Sequence, residues 1–169
     1  MPVDQPKNGV HDISLQDYLR KNNCYGDMDF RTRLKMLNTV LDIIEYLQKL
    51  DLCHLDLKPS NFLLNMTSGK WNKSDFVLAD FGIANALKHA DGLSGTPGFG
   101  SPEQFIGKPS KKSDNYILGK LIITIIYPWN DAWNLMQRPI THQELKKQPL
   151  YNTPAWAIIS DLLQVILRN

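Results

Sequence analysis

The sequence has little of what would place it in a membrane, outside the cell or on nucleic acid. Only two of its 169 residues are cysteine, Cys24 and Cys53. That is too few for the disulfide framework of a small secreted domain and suits a reducing compartment. A Cys24–Cys53 pair stays open, but Cys53, beside His54, reads more simply as a small buried hydrophobe. No apolar run is long enough to span a bilayer: the richest window, Leu118 to Tyr127, contains Lys120 and ends at Pro128. Met1-Pro2-Val3-Asp4-Gln5 has neither the basic start nor the apolar run of a signal peptide. A formal charge of +2 gives no ground for expecting nucleic acid or a membrane as partner. The cytoplasm is the compartment to expect.

What is present is ordinary globular composition, 43% hydrophobic and 21% charged, in one domain's length of chain. Residues 1–13 are polar, with Pro2, Pro6 and Gly9, and read as an extended arm. Ser14-x-x-Asp17 resembles a capping box and starts a short helix with Leu15, Tyr18 and Leu19 on one face. Asp29 is a good N-cap for a longer helix. Its stripe of Phe30, Leu34, Leu37, Leu41, Ile44 and Leu47 is the strongest helical signal in the chain and predicts the core helix.

Further on, Leu52-Cys53-His54 reads as a short strand. Phe62–Asn65 and Phe76–Ala79 read as a β-hairpin with Asn61 at one end and Asp80 at the other. Residues 83–100, with four glycines and one proline, form a loop, and Ser101-Pro102-Glu103 opens a helical turn. Ser113 caps a buried helix running to about Tyr127. A short helix is expected around His142–Lys147, and a last one after Thr153-Pro154.

The chemistry gathers in His54-Leu55-Asp56-Leu57-Lys58-Pro59-Ser60-Asn61 and in Asp80-Phe81-Gly82. Asp56 is a carboxylate able to take a hydroxyl proton, and Lys58 a cation able to neutralise a transferring phosphate. Asn61 and Asp80 offer the hard oxygen ligands that Mg²⁺ prefers. Phosphoryl transfer asks a protein mainly for positioning and charge neutralisation, and these four side chains could supply most of one half of such a site.

At these residues the sequence resembles the eukaryotic protein kinase family. H-L-D-L-K-P-S-N is similar to its catalytic loop, L-A-D-F-G to its metal-binding segment, and Gly95–Glu103 to the end of its activation segment. Ser113–Gly119 resembles the buried helix that follows. The resemblance implies a mainly α fold with small β-hairpins, a protein-kinase-like C-terminal lobe over residues 1–169 with 1–13 as a hinge-like arm. It implies ATP and Mg²⁺ as cofactors and a protein substrate. Asp56 is the expected base, Lys58 the phosphate contact, Asn61 and Asp80 the metal ligands, and Leu63 the contact beneath adenine. Thr96 bridges toward Asp56 and Lys58, and with D-x-K-P it favours the serine/threonine branch. His54 and Phe81 stack in a column between lobes, Gly82 and Glu103 are structural, and Asp114 anchors catalytic-loop N–H groups.

Two departures stand out. Leu55 replaces the arginine that normally meets a phosphorylated activation loop, so phosphate on Ser94 is not expected to order that loop through this contact. Nothing before His54 resembles the G-x-G-x-x-G loop, the V-A-I-K lysine or its glutamate partner, and the C-terminal arginine that pairs with Glu103 is not found. The expectation is therefore a catalytic lobe truncated at both ends. Its rival is a pseudokinase or C-lobe mimic that binds another kinase or a substrate without catalysis. Apolar surface left exposed predicts, separately, self-association or complementation by a separate N-lobe. A small-molecule phosphotransferase shares H-x-D and D-x-G, but the peptide-platform segment Gly95–Glu103 argues against it.

Overall fold

The computed structural model describes residues 12–23, 28–65, 76–81, 95–136 and 143. In chain order these give β1 (Asp12–Ser14), α1 (Leu15–Asn23), α2 (Phe30–Lys49), β2 (Phe62–Asn65), β3 (Phe76–Leu78), α3 (Lys111–Ile126) and α4 (Trp129–Met136). The fold is helix-rich with a small sheet of order β1-β2-β3, antiparallel throughout.

The expected hairpin forms, with Phe62 opposite Leu78 and Leu64 opposite Phe76. A third strand joins it. Asp12–Ser14, expected within and just after the arm, pairs with Leu63–Asn65 along the open edge of β2. Three residues with one apolar position carry no readable period, so the edge recruits what the pattern does not announce. Ile13, Leu64 and Phe76 share the core face by register, whereas Ser14, Leu63 and Val77 share the outer one.

α1 starts where expected. The Asp17 N–H donates to Ser14 Oγ at 3.1 Å, while the Ser14 hydroxyl donates to the Asp17 carboxylate at 2.7 Å. Leu15 and Leu19 are fully buried. α2 is capped by Asp29, whose carboxylate accepts from the Thr32 N–H at 2.9 Å and the Thr32 hydroxyl at 2.6 Å. Those bonds hold the Asp29 carboxyl below its ordinary value. The buried face of α2 includes Leu37, Ile44 and Leu47 of the stripe but centres on Met36 and Val40, leaving Phe30, Leu34 and Leu41 at its margin. Arg33 is buried there too. Its guanidinium donates to the carbonyls of Met28, Ile125 and Ile126 at 3.0–3.3 Å. It thereby closes the C-terminus of α3, where unpaired carbonyls carry partial negative charge. Burial pushes its pKa down, with Asp29 opposing.

α3 begins three residues earlier than expected. Ser110 is the N-cap, and Ser113 completes the box from the third helical position by accepting from the Ser110 N–H at 3.1 Å. Pro109 blocks helix before this point, and a serine pair spaced by three satisfies both ends of the box, so the earlier serine wins. Tyr127-Pro128 ends the helix as expected, but α4 then follows at once, where only mixed structure was anticipated. Leu52–His54 forms no strand. Its backbone donors go instead to Leu47 and to a side chain of α3, described below. The expected helix after Thr153 lies outside the described residues, as does nearly all of that around His142–Lys147.

Candidate active site

Asp114 organises the stretch that carries the chemistry. Its two carboxylate oxygens accept from the His54 and Leu55 N–H groups, both at 2.7 Å. Burial pushes its carboxyl above the ordinary value, and the two N–H bonds and His54 pull the other way. Leu55 sits at φ 63 with its side chain fully buried. That left-handed conformation is costly for leucine and persists because both flanking peptides are tied down. The Leu55 carbonyl accepts from Gln104 Nε2 at 2.7 Å, and Gln104 Oε1 accepts from the Ser101 N–H at 2.9 Å. A leucine so enclosed cannot reach a phosphate.

The turn brings Asp56, Lys58, Asn61 and Thr96 together. The Lys58 ammonium donates to Asp56 Oδ2 at 2.7 Å and to Thr96 Oγ1 at 3.0 Å. The Thr96 hydroxyl donates to Asp56 Oδ1 at 2.6 Å. The Asn61 amide donates to the Asp56 carbonyl at 2.9 Å and to Asp56 Oδ2 at 3.2 Å. Asp56 is nearly buried. A carboxylate has about four acceptor positions, and these three donors take three of them.

The hairpin brings the chain on either side of it together at Asn61. The Ala79 N–H donates to the Asn61 carbonyl at 2.8 Å, which extends the β2–β3 pairing by one step and puts Asp80 next in sequence at that end of the hairpin. Asp80 is held at φ 61. Because Asn61 spends its amide nitrogen on Asp56, its Oδ1 is the atom left for a cation. One amide oxygen and one carboxylate fit Mg²⁺, which keeps waters and takes further ligands from phosphates. Among the described residues, no three His, Cys, Asp or Glu side chains cluster as a metal-holding group.

His54 is buried, with its ring 5.0 Å from that of Phe81, and its Nε2 lies 3.2 Å from the Ala79 carbonyl. Leu63 is half-buried on the outer sheet face beside Val77. Glu103 accepts from the Ser113 hydroxyl at 2.7 Å. Burial raises its carboxyl, but Ser113, its own backbone and Ser101 outweigh that and hold it below the ordinary value. Gly82 lies outside the described residues, as does Ser94. Cys53 is free and buried.

The model of the protein kinase domain matches residues 8–167. The chain belongs to the protein kinase family. Its kinase relatives include human serine/threonine-protein kinase H1, 30% identical over 81% of this chain and 33% of that protein. The probable serine/threonine-protein kinase zyg-1 of Caenorhabditis elegans is 28% identical over 67% of this chain and 16% of its own length. A probable serine/threonine-protein kinase of Corynebacterium efficiens is 27% identical over 90% and 23%. The chain thus spans a third or less of these kinases. Protein kinases in general use ATP and Mg²⁺ and act on proteins. No helix among the described residues is long and apolar enough to cross a membrane.

Gln104, Lys120 and Arg33 escaped the sequence reading. Each is a polar residue in or beside an apolar pattern, which normally marks a solvated position. For Gln104 a signal existed in its place directly after the recognised segment Gly95–Glu103.

Proposed function

We propose that this chain is the catalytic lobe of a serine/threonine protein kinase, transferring the γ-phosphoryl group of ATP to a protein hydroxyl. The observation that carries the reading is the closed contact among Asp56, Lys58 and Thr96, at 2.6–3.0 Å. A structural turn has no need of a nearly buried carboxylate ringed by a cation, a hydroxyl and an amide. Asp56 accepts the hydroxyl proton at its remaining acceptor position and orients the nucleophile. Lys58, bonded to both Asp56 and Thr96, offsets negative charge on the group in transit. Asn61 Oδ1 and Asp80 would hold Mg²⁺, which supplies charge neutralisation at the nucleotide phosphates when bound. Leu63 lies where the adenine ring would rest.

The nucleotide-covering half, whose motifs this sequence does not contain, is proposed to come from outside it. A second reading is a catalytically silent module that binds another kinase. Calorimetry with Mg²⁺-ATP on the chain and on Asp80→Ala separates the two. Binding lost in the variant, followed by phosphorylation of serine/threonine peptides, supports the enzyme. Binding by neither chain overturns a lobe competent by itself and leaves the docking module.

A further inference from the structure

A buried cation in α3 takes no part in the site as read so far. Lys120 lies in the helix that packs Ile117, Leu121, Ile122 and Ile123 into the core, and it is 6% exposed. Its ammonium donates to the Gly98 carbonyl at 2.7 Å and the Met136 carbonyl at 3.0 Å, and it stands 5.4 Å from the centre of the Tyr116 ring. Burial lowers its pKa, a sign of what it costs to hold a charge there. An apolar side chain of similar length suits such surroundings better. The two carbonyls it joins belong to different parts of the fold. Met136 is the last residue of α4, and Gly98 lies two positions past Thr96.

The segment that Lys120 grips has weak conformational preferences of its own. Gly95 and Gly98 stand at φ +104 and +86, which glycine adopts freely and which leave an unpinned chain many alternatives. Gln104 pins the far end, joining the Ser101 N–H to the Leu55 carbonyl. At the near end the Phe99 and Gly100 N–H groups close on the Thr96 carbonyl at 3.0 and 2.8 Å, and Lys120 takes the Gly98 carbonyl.

We propose that Lys120 is a positioning residue whose hold on Gly98 fixes the turn that presents Thr96 to Asp56 and Lys58. The inference rests on reading those three as the reaction centre. If Lys120 served only to close the end of α4, its loss would leave the Thr96 turn unchanged.

Amide hydrogen exchange by NMR on the full chain tests this, comparing wild type with Lys120→Met and Lys120→Arg. In the methionine variant, exchange at Phe99 and Gly100 should quicken about tenfold while the amides of α3 keep their rates, and arginine should restore protection. In peptide phosphorylation the same variant should lose about tenfold in kcat with the KM for ATP unchanged, through a displaced Thr96. Unaltered exchange at Phe99 and Gly100 in a folded Lys120→Met protein overturns the proposal, as does equal acceleration throughout α3. Should the methionine variant not fold, Lys120→Gln is judged by the same local criterion. Wild type without phosphorylation would count against a lobe competent by itself, whereas the exchange rates still decide whether Lys120 pins the turn.

Discussion

Asp56 takes three donors at once, and each bond narrows where a substrate hydroxyl can approach. Asp56→Asn keeps the shape but removes the acceptor charge, so phosphotransfer should fall by about 10²–10⁴ with nucleotide binding retained. A radiometric peptide assay beside calorimetry checks both halves of that statement. Asp114 makes a different claim on the fold. Asp114→Ala leaves the His54 and Leu55 N–H groups buried without their acceptor, which should cost about 3 kcal/mol in urea unfolding. A loss near zero would mean that water replaces the carboxylate. Both aspartates were legible because their spacing to His54, Lys58 and Asn61, or to Asn115 and Gly119, belongs to a pattern. Gln104, Arg33 and Lys120 were not, since a single polar residue says nothing of its burial until the chain is folded around it.

Among elements, the joint between the Ser101–Gly107 turn and α3 shows how far local rules carry. Two serines spaced by three both satisfy capping chemistry, and only the fold shows that Ser110 is the cap while Ser113 serves it and also binds Glu103. Ser110→Ala should therefore lower stability by about 1 kcal/mol, read from the urea midpoint. The Glu103 contact adds a pH dependence. Its carboxyl titrates below the ordinary value when folded, so its contribution is present above the unfolded pKa and is lost as pH falls through the folded one. The stability gap between wild type and Glu103→Gln should shrink from about pH 6 to about pH 3. Asp114, raised by burial, works in the opposite sense and is common to both proteins, so it cancels in the difference. A gap independent of pH would show that the Ser113 bond does not depend on the charge. The hairpin and the two long helices were readable from period and caps. β1 was not, because an edge pairing of three residues leaves no period, and Leu52–His54 looked like a strand although the Leu52 N–H belongs to Leu47 and the His54 N–H to Asp114.

Across the whole molecule, the core side and the site side of the sheet differ in what they leave to water. Leu64, Phe62 and Phe76 are buried, whereas Val77 is 56% exposed beside its register partner Leu63, and Phe81 is 47% exposed next to His54. Exposed apolar side chains of that size are where a partner or a second copy would be expected to bind. Sedimentation velocity over a range of concentrations should therefore show the chain associating. Val77→Ser, which removes exposed apolar area without touching the core face, should shift the equilibrium toward monomer. The same substitution should barely change the unfolding midpoint, because a half-exposed strand position contributes little to the fold. Monodisperse monomer at high concentration would argue that Phe81 and Val77 are tolerated in water. Association unaffected by Val77→Ser would move the contact away from the sheet, toward another exposed apolar pair such as Phe105 and Ile106.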